Sequence, residues 1–414
     1  MTTTMPEALS SDFTSGRTSY SAATDSDGMT TTKSIKYVHQ SNYSYTLPRK
    51  LRQAMQNRFL LPILHSGGGP NFQYRQLKIA IAFAVYTNRT IVLSDFTHHR
   101  TRYHIGKVLF EETFNVSVLR QFIPAVSMED FRDRCGSHIK TAWTFYHWAR
   151  YVYKPITRYY QESRNWLRER LNVDIPDIES VTFPKSIPES WHAMEETADE
   201  SCVVMVSPIG FERVHLPNEA VISCAVDGHL VRTSFLQKAV VNVLPNICDG
   251  KPMLGFHWRN RTGEDCRVGK PSGTNETTCR ELLQMQYRIL ESIALHILSI
   301  MSQEKTGCIF MASAPREPRE NVLNQFAAHN LTSIITIDDV INLHNADIDT
   351  FGDDDYFISL IEQEICARSK VFVGIGKSNW STFVFRERRA FQRGKNYDVI
   401  KDFPDIIDIA DKFS

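Results

Sequence analysis

Nowhere in these 414 residues is there an apolar run of the roughly eighteen residues that a membrane-crossing helix needs; the longest, Ile79 to Tyr86, falls far short. Net charge is missing as well. Lys and Arg total 47 and Asp and Glu total 47, so no overall field gathers nucleic acid or anionic lipid, and any anion has to be met by a local site. The eight cysteines contain no CxxC pair, which removes the spacing of zinc ribbons and thioredoxin-like redox centres. No repeat of solenoid length is found. The N-terminal stretch lacks the apolar segment of a signal peptide, since 16 of its first 34 residues are Ser or Thr. Glu7, Asp12, Asp25 and Asp27 argue against a mitochondrial transit peptide, which is normally poor in acids.

What is present is ordinary globular material, 42% hydrophobic and 23% charged, in a length that suits two to three domains at roughly 150 residues each. Seven Asn-x-Ser/Thr sequons occur, at Asn42, Asn88, Asn115, Asn260, Asn275, Asn330 and Asn379. Chance placement of the 19 asparagines gives about three. The excess points to the secretory pathway and an N-terminus that is incomplete; a cytosolic chain with a disordered tail is the other reading. Residues 1–45 form a polar, Ser/Thr-rich tail that cannot bury enough surface to offset its ordering entropy.

From there the pattern alternates. Phe59 to Leu64 reads as a buried strand despite Pro62, His65 to Pro70 as a glycine-rich loop, and Leu77, Ile81 and Val85 as one face of a helix. Thr90 to Leu93 returns as a strand, completing a βαβ unit. Strands are expected at Val203 to Val206 and Ala220 to Cys224, then a helix around Leu230 to Leu244. Residues 129 to 170 are dense in aromatics, from Trp143 to Trp166, and read either as helical core or as a groove for sugar or peptide. Turn-rich Pro245 to Pro252 marks a domain boundary. Beyond it come strand Met253 to Trp258, a helix from about Arg280 to Ser302, strand Ile309 to Ala312, helix Glu317 to Ala328, strand Ser333 to Ile337, helix Tyr356 to Arg368, strand Val371 to Val373 and helix Trp380 to Phe391. Such alternation implies parallel sheets covered on both faces, with ligands held in a cleft off the carboxyl ends of the strands.

Gly374-Ile375-Gly376-Lys377-Ser378 invites a phosphate-loop reading, but Val371 stands where the first glycine of that motif belongs. As a dinucleotide fingerprint it ends on Asn379 and lacks a downstream acid. What survives is a strand, a small-residue loop and a helix start, where exposed N–H groups with Ser378, Asn379, Ser381 and Thr382 can hold phosphate. A capped helix without a ligand is the plain alternative. His257 and Arg259 close the first strand after the boundary and point the same way by alternation; a guanidinium fork there suits two phosphate oxygens and needs no metal. His98, His99 and His104 have no acid or cysteine at ligand spacing, and Asp353 to Asp355 read as caps at a helix start.

These residues resemble a known family. Gly67 to Gln73, then Asn88-Arg89-Thr90 before a strand, is similar to the opening of the GDP-fucose protein O-fucosyltransferase superfamily, as is Phe110 to Asn115 leading to Met128 to Phe131. His257-Trp258-Arg259 resembles the His-x-Arg motif of that family, and Gly374 to Arg388 its C-terminal donor-binding segment. The resemblance spans about residues 58 to 390 and implies an α/β fold of GT-B type, two facing Rossmann-like doubly wound domains with a cleft between them. Residues 46–247 would be the acceptor-side domain and 248–414 the nucleotide-sugar-binding domain. It further implies a metal-independent inverting glycosyltransferase that moves fucose from GDP-fucose to a Ser or Thr hydroxyl of a secreted or extracellular protein domain, with no cofactor beyond its donor substrate. The sequon excess suggests the endoplasmic reticulum or Golgi lumen, with a cytoplasmic location the alternative. Carried over by position, Arg259 is catalytic, holding the β-phosphate and the glycosidic oxygen. Asn71, His257, Ser378, Asn379, Trp380 and Ser381 bind the donor, with Asn71 on the glycine-rich loop. Two positions depart from the family pattern. Ala314 stands where an Asp usually follows its strand, and Asn71 where some members use a Glu as base. A catalytically silent sugar-nucleotide or glycan binder is the competing expectation, and a structural partner protein a third. A disulfide between Cys266 and Cys279 is expected if the chain is secretory.

Overall fold

A computed structural model describes residues 46–64, 69–98, 107–144, 160–177, 186–213, 216, 219–259, 276–314, 319–343, 354–376 and 378–406. Short runs of Val, Ile, Leu and Phe become strands: β1 (Phe59–Ile63), β2 (Thr90–Val92), β3 (Phe96–Thr97), β4 (Lys107–Val108), β5 (Ala125–Val126), β6 (Thr141–Trp143), β7 (Cys202–Val206), β8 (Met253–Trp258), β9 (Cys308–Ser313), β10 (Ile334–Ile335), β11 (Val371–Gly374) and β12 (Lys395–Asp398). They build two five-stranded sheets, in the orders β5-β2-β1-β7-β6 and β10-β9-β8-β11-β12, and β3 pairs with β4 apart from them. Every pairing within the two large sheets is parallel. Pro62 is tolerated in a central strand because pairing of β1 with β2 ends at Leu60.

Alternation along the strands sorts the cores. Leu60, Ile91, Val203 and Met205 of the first sheet, with Phe310, Ala312 and Phe372 of the second, turn toward one shared helical layer. That layer holds helices Pro70–Tyr86, Glu219–His229, Ser234–Val243, Asp355–Arg368 and Asn379–Ala390. The opposite faces are closed separately. Phe59, Leu61, Val204 and Val206 pack with Phe131, Leu167 and Leu171. Leu254, Phe256, Ile309 and Val373 pack with Leu290, Ile293 and Ile297 of the helix Glu276–Glu304. Among the described residues no helix is long and apolar enough to cross a membrane.

The expected strand at Ala220 to Cys224 is instead the helix Glu219–His229. Its β-branched Val221 and Ile222 suggested a strand, but Ile222, Ala225, Val226 and His229 fall at helical spacing and bury one face. Trp143, within the aromatic stretch, belongs to strand β6 and is buried; residues 145–159, which carry most of the other rings, lie outside the described residues. Residues 160–171 are helical and bury Tyr160. Two disulfides tie elements together: Cys135–Cys202, Cα atoms 5.9 Å apart, joins the end of the helix Met128–Cys135 to the start of β7, and Cys248–Cys308, at 5.6 Å, joins the approach to β8 to β9. Cys266 and the side chain of Cys279 lie outside the described residues.

Candidate functional site

On β8 the residues that face the shared helical layer are Met253, Gly255 and His257, alternating with Leu254, Phe256 and Trp258 on the other side. Glycine is needed at 255, because a Cβ there would come within 2.9 Å of Ser369 Oγ and 3.2 Å of Cys366 Cα. One step on, His257 is buried with its ring stacked on Trp380, centroids 4.1 Å apart, and its Nδ1 2.7 Å from Ser381 Oγ. Burial, then the neighbouring Arg259 charge, pushes the imidazole pKa down to about 3, so the ring is neutral at physiological pH. Arg259 follows the last residue of the strand and is half-buried.

The same helix start is fixed from the other side by β11. The Gly376 amide donates to Asp398 Oδ1 at 2.9 Å, and a side chain at 376 would run into that carboxylate. Ser378 is buried in the N-cap position of the helix Asn379–Ala390. Asn379 Oδ1 accepts from Arg75 Nη1 at 3.0 Å, Trp380 Nε1 donates to Ser359 Oγ at 3.0 Å, and Thr382 Oγ1 donates to the Gly376 carbonyl at 3.1 Å. Ser381, fully buried, accepts from the Ile375 amide at 3.0 Å while it meets His257. Ser381 and Trp380 thus spend their polar atoms on holding His257 and the helix start in place. The amides of the first turn have no intrahelical partner, and with the helix dipole they favour an anion there.

Asn71 is not on a loop. It is the second residue of the helix Pro70–Tyr86, whose first position takes Pro70 because proline lacks the N–H that would go unused there. Its Oδ1 accepts from Gln363 Nε2 at 2.7 Å, and Gln363 Oε1 accepts from Arg232 Nη2 at 2.6 Å. Beside this chain Tyr74 donates to the Tyr356 hydroxyl at 2.6 Å, and Thr113 Oγ1 lies 2.6 Å from that same hydroxyl. Burial pushes the Tyr74 pKa up to about 12, so it stays a neutral donor. Asn71 and Asn379 are therefore each clipped to a residue of the opposite half of the chain.

Glu362 escaped the sequence reading because it lies inside an apolar helical run, where an acid reads as an exposed position. It is instead buried, its Oε1 has no hydrogen-bond partner, and the Ser313 backbone N–H bonds to the carboxyl group. Burial outweighs the attraction of Arg319 and pushes its pKa up to about 8. Ser313 ends β9 and pairs in register with Trp258, so this carboxyl group sits in the row of strand ends that includes Arg259. Arg319 covers it, donating to Ser313 Oγ at 2.7 Å and Asp338 at 2.6 Å. His98 Nδ1 lies 3.7 Å from Asp354, His99 and His104 are outside the described residues, and among the described residues no three His, Cys, Asp or Glu are gathered around a point.

Residues 61–391 match the family model described as GDP-fucose protein O-fucosyltransferase. The chain belongs to this family. All of the site residues above, from Asn71 through Arg259 to Ser381, fall within the matched span of this O-fucosyltransferase family member. A crystal structure of POFUT1 in complex with GDP superposes with a TM-score of 0.54 at 16% identity, covering 83% of this chain and 99% of that one. POFUT1 in complex with GDP-fucose gives 0.53, again at 16% identity, with 83% and 98% covered. At that identity the likeness speaks for the fold, a mixed α/β architecture with parallel sheets. A comparison with curated protein sequences gave no match.

Proposed function

We propose that this chain is a GDP-fucose-dependent O-fucosyltransferase of GT-B type, whose donor lies in a cleft off the carboxyl ends of β8, β9 and β11. The observation that carries the reading is Arg259, set one residue beyond a strand whose His257 rests on Trp380 and Ser381 of an open helix start. As fucose leaves the diphosphate, negative charge grows on the β-phosphate while the sugar gains oxocarbenium character. The Arg259 fork and the first amides of the helix Asn379–Ala390 supply fixed positive charge to that oxygen, without a metal. A hydroxyl of a Ser or Thr attacks the opposite face as the bond from the anomeric carbon to the β-phosphate oxygen breaks, which inverts the anomeric centre, and the hydroxyl proton passes to an oxygen of the departing diphosphate. His257, held neutral, supports the geometry and takes no part in proton transfer.

Glu362 supplies the base recognition that Ala314 leaves open, once the covering Arg319 side chain is displaced by the nucleotide. A buried carboxyl oxygen with no partner is costly, and guanine presents two adjacent N–H donors to satisfy such a group, whereas adenine pairs one donor with an acceptor. The two disulfides and the sequon excess support residence in the endoplasmic reticulum or Golgi lumen and an acceptor that is a secreted or extracellular protein domain. Titration calorimetry with GDP, UDP and ADP, followed by fucose transfer to folded extracellular domains, tests the reading. GDP should bind tightest and Arg259→Ala should abolish most transfer. Binding of GDP with no turnover of GDP-fucose would mark a silent binding relative, and equal binding of the three nucleotides would remove the role of Glu362.

A further inference from the structure

Arg232 is 1% exposed, an arginine buried between two helices of the N-terminal half. Its guanidinium is walled by the rings of Tyr74, Phe114 and Phe383, at 4.9, 4.7 and 4.5 Å. Its Nη2 donates to Gln363 Oε1 at 2.6 Å, and Nε and Nη1 have no hydrogen-bond partner among the described residues. A buried cation is costly, so the bond it does make has a consequence.

A guanidinium only donates, so Gln363 must turn its carbonyl oxygen toward Arg232. That fixes the other end of the amide: Nε2 faces Asn71 and can only donate to Oδ1, at 2.7 Å. Asn71 is then fixed in turn, with its oxygen engaged and its NH2 left over, and no described residue accepts from that NH2. We propose that Arg232 and Gln363 are positioning residues that hold the Asn71 carboxamide as a hydrogen-bond donor to a ligand oxygen in the transferase site. That oxygen belongs either to the donor diphosphate or to the hydroxyl that receives the sugar. The inference rests on the transferase reading for its ligand, while the relay itself rests on the three side chains.

Gln363→Glu is the informative variant. It keeps the volume and an acceptor for Arg232 but offers Asn71 no donor, so Asn71 turns over and presents oxygen to oxygen. The contact is tested first by melting, independently of activity. Gln363→Glu and Asn71→Asp should each melt within a few degrees of wild type. The double variant, with two carboxylates face to face, should melt far below the sum of the single effects at about pH 8 and recover at about pH 5. Additive melting at both pH values overturns the relay. The ligand is tested next, in protein that has passed the melting test. Gln363→Glu should lower turnover at least roughly tenfold, with no further loss in an Asn71→Ala background. Weakened GDP binding assigns the oxygen to the diphosphate; unchanged GDP binding with a raised acceptor KM or lowered kcat assigns it to the hydroxyl. Turnover, acceptor KM and GDP affinity all within twofold of wild type overturn the positioning role. Wild-type protein that binds no GDP sinks the transferase reading and the relay's ligand with it, while the melting cycle still decides the contacts.

Discussion

The helix Asn379–Ala390 has two ends of opposite character, and each is marked by an arginine from the family's sequence segments. At its N-terminal end the first amides are open and the neighbouring Arg259 is half-buried beyond the end of a strand. At its C-terminal end Arg388 is fully buried and every nitrogen is spent. It donates to Asn396 Oδ1 at 2.6 Å, to the carbonyls of Ser369 and Ala367 at 2.5 and 3.0 Å, and to that of Lys395 at 3.1 Å. Arg388 closes the end of the helix Asp355–Arg368 and the start of β12 by occupying their carbonyls. Sequence segments of equal standing thus contain a residue that builds the frame and a residue that we propose acts on a ligand. Burial tells them apart, complete at Arg388 and partial at Arg259.

The sharpest way to break this contrast is to truncate both arginines. Arg259→Ala should lower fucose transfer by about 100 to 1000 fold, the loss typical of one preorganised contact to a developing anion, with the melting temperature unchanged. Arg259→Lys should recover little, since the charge returns without the fork. Arg388→Ala should do the reverse. It leaves several buried carbonyls unpaired and a cavity, a cost of about 3 to 5 kcal/mol in stability, while the folded fraction keeps its turnover. Measured transfer rates beside denaturant midpoints decide the matter. An Arg259→Ala protein that transfers at more than about a tenth of the wild-type rate would falsify its assignment.

The same contrast explains what could be read in advance. The strand ends carrying His257 and Arg259, and the helix start at Ser378 to Ser381, were legible because polar residues interrupt apolar runs there. The cap role of the Asp353 to Asp355 run was legible too, as Asp354 accepts from the Tyr356 amide at 2.9 Å. Gln363 and Glu362 were not, since nothing local separates a buried polar residue in a helix from an exposed one; only the packing of the helix Asp355–Arg368 against β8, β9 and the helices Ser234–Val243 and Asn379–Ala390 buries them. Strand β12, with exposed Lys395 and Asn396, has no apolar pattern and exists because β11 offers it an edge. Asn71 looked like loop because glycines precede it, yet Pro70 starts the helix one residue earlier.

A smaller effect, on stability alone, is expected from the frame's disulfides. Cys135–Cys202 closes a separation of 67 residues, which in the chain-entropy description contributes about 4 kcal/mol. Cys135→Ser should lower the denaturant midpoint without altering GDP affinity, because both partners lie at the end of β7 remote from its carboxyl terminus. Peptide mapping that finds both as free thiols in protein from a secretory host would count against the lumenal reading.

Smaller again is a pH effect that places Glu362 on the ligand side of the comparison. Its folded pKa is raised from 4.5 to about 8. Below the lower value both folded and unfolded chains carry the proton. Between the two only the folded chain does, so this group's contribution to stability falls as pH rises through that window and is flat above it. Glu362→Gln has no such slope and should melt at the wild-type temperature near pH 4.5 and increasingly above it toward pH 8. GDP should narrow the gap, because guanine donors favour the ionised carboxylate, and the variant should lose preference for GDP over ADP. A frame residue would show the slope without the nucleotide dependence.

The smallest expected effect is none. If Arg259 and the helix start carry the charge of the departing diphosphate, a divalent cation has no task left at that oxygen. Asp354, in the acidic run nearest in pattern to a metal-binding triplet, is occupied as a helix cap. Transfer measured in excess EDTA should therefore stay within twofold of the untreated rate, and added manganese should not raise it. The comparison becomes sharper when it is repeated on Arg259→Ala. A metal recruited by the diphosphate would rescue part of the lost rate in the variant while leaving the wild type indifferent, which would show that the guanidinium occupies the place a cation takes in other transferases. Wild-type activity that disappears with chelator and returns with manganese would move the charge compensation away from Arg259 and undo the distinction between the two arginines.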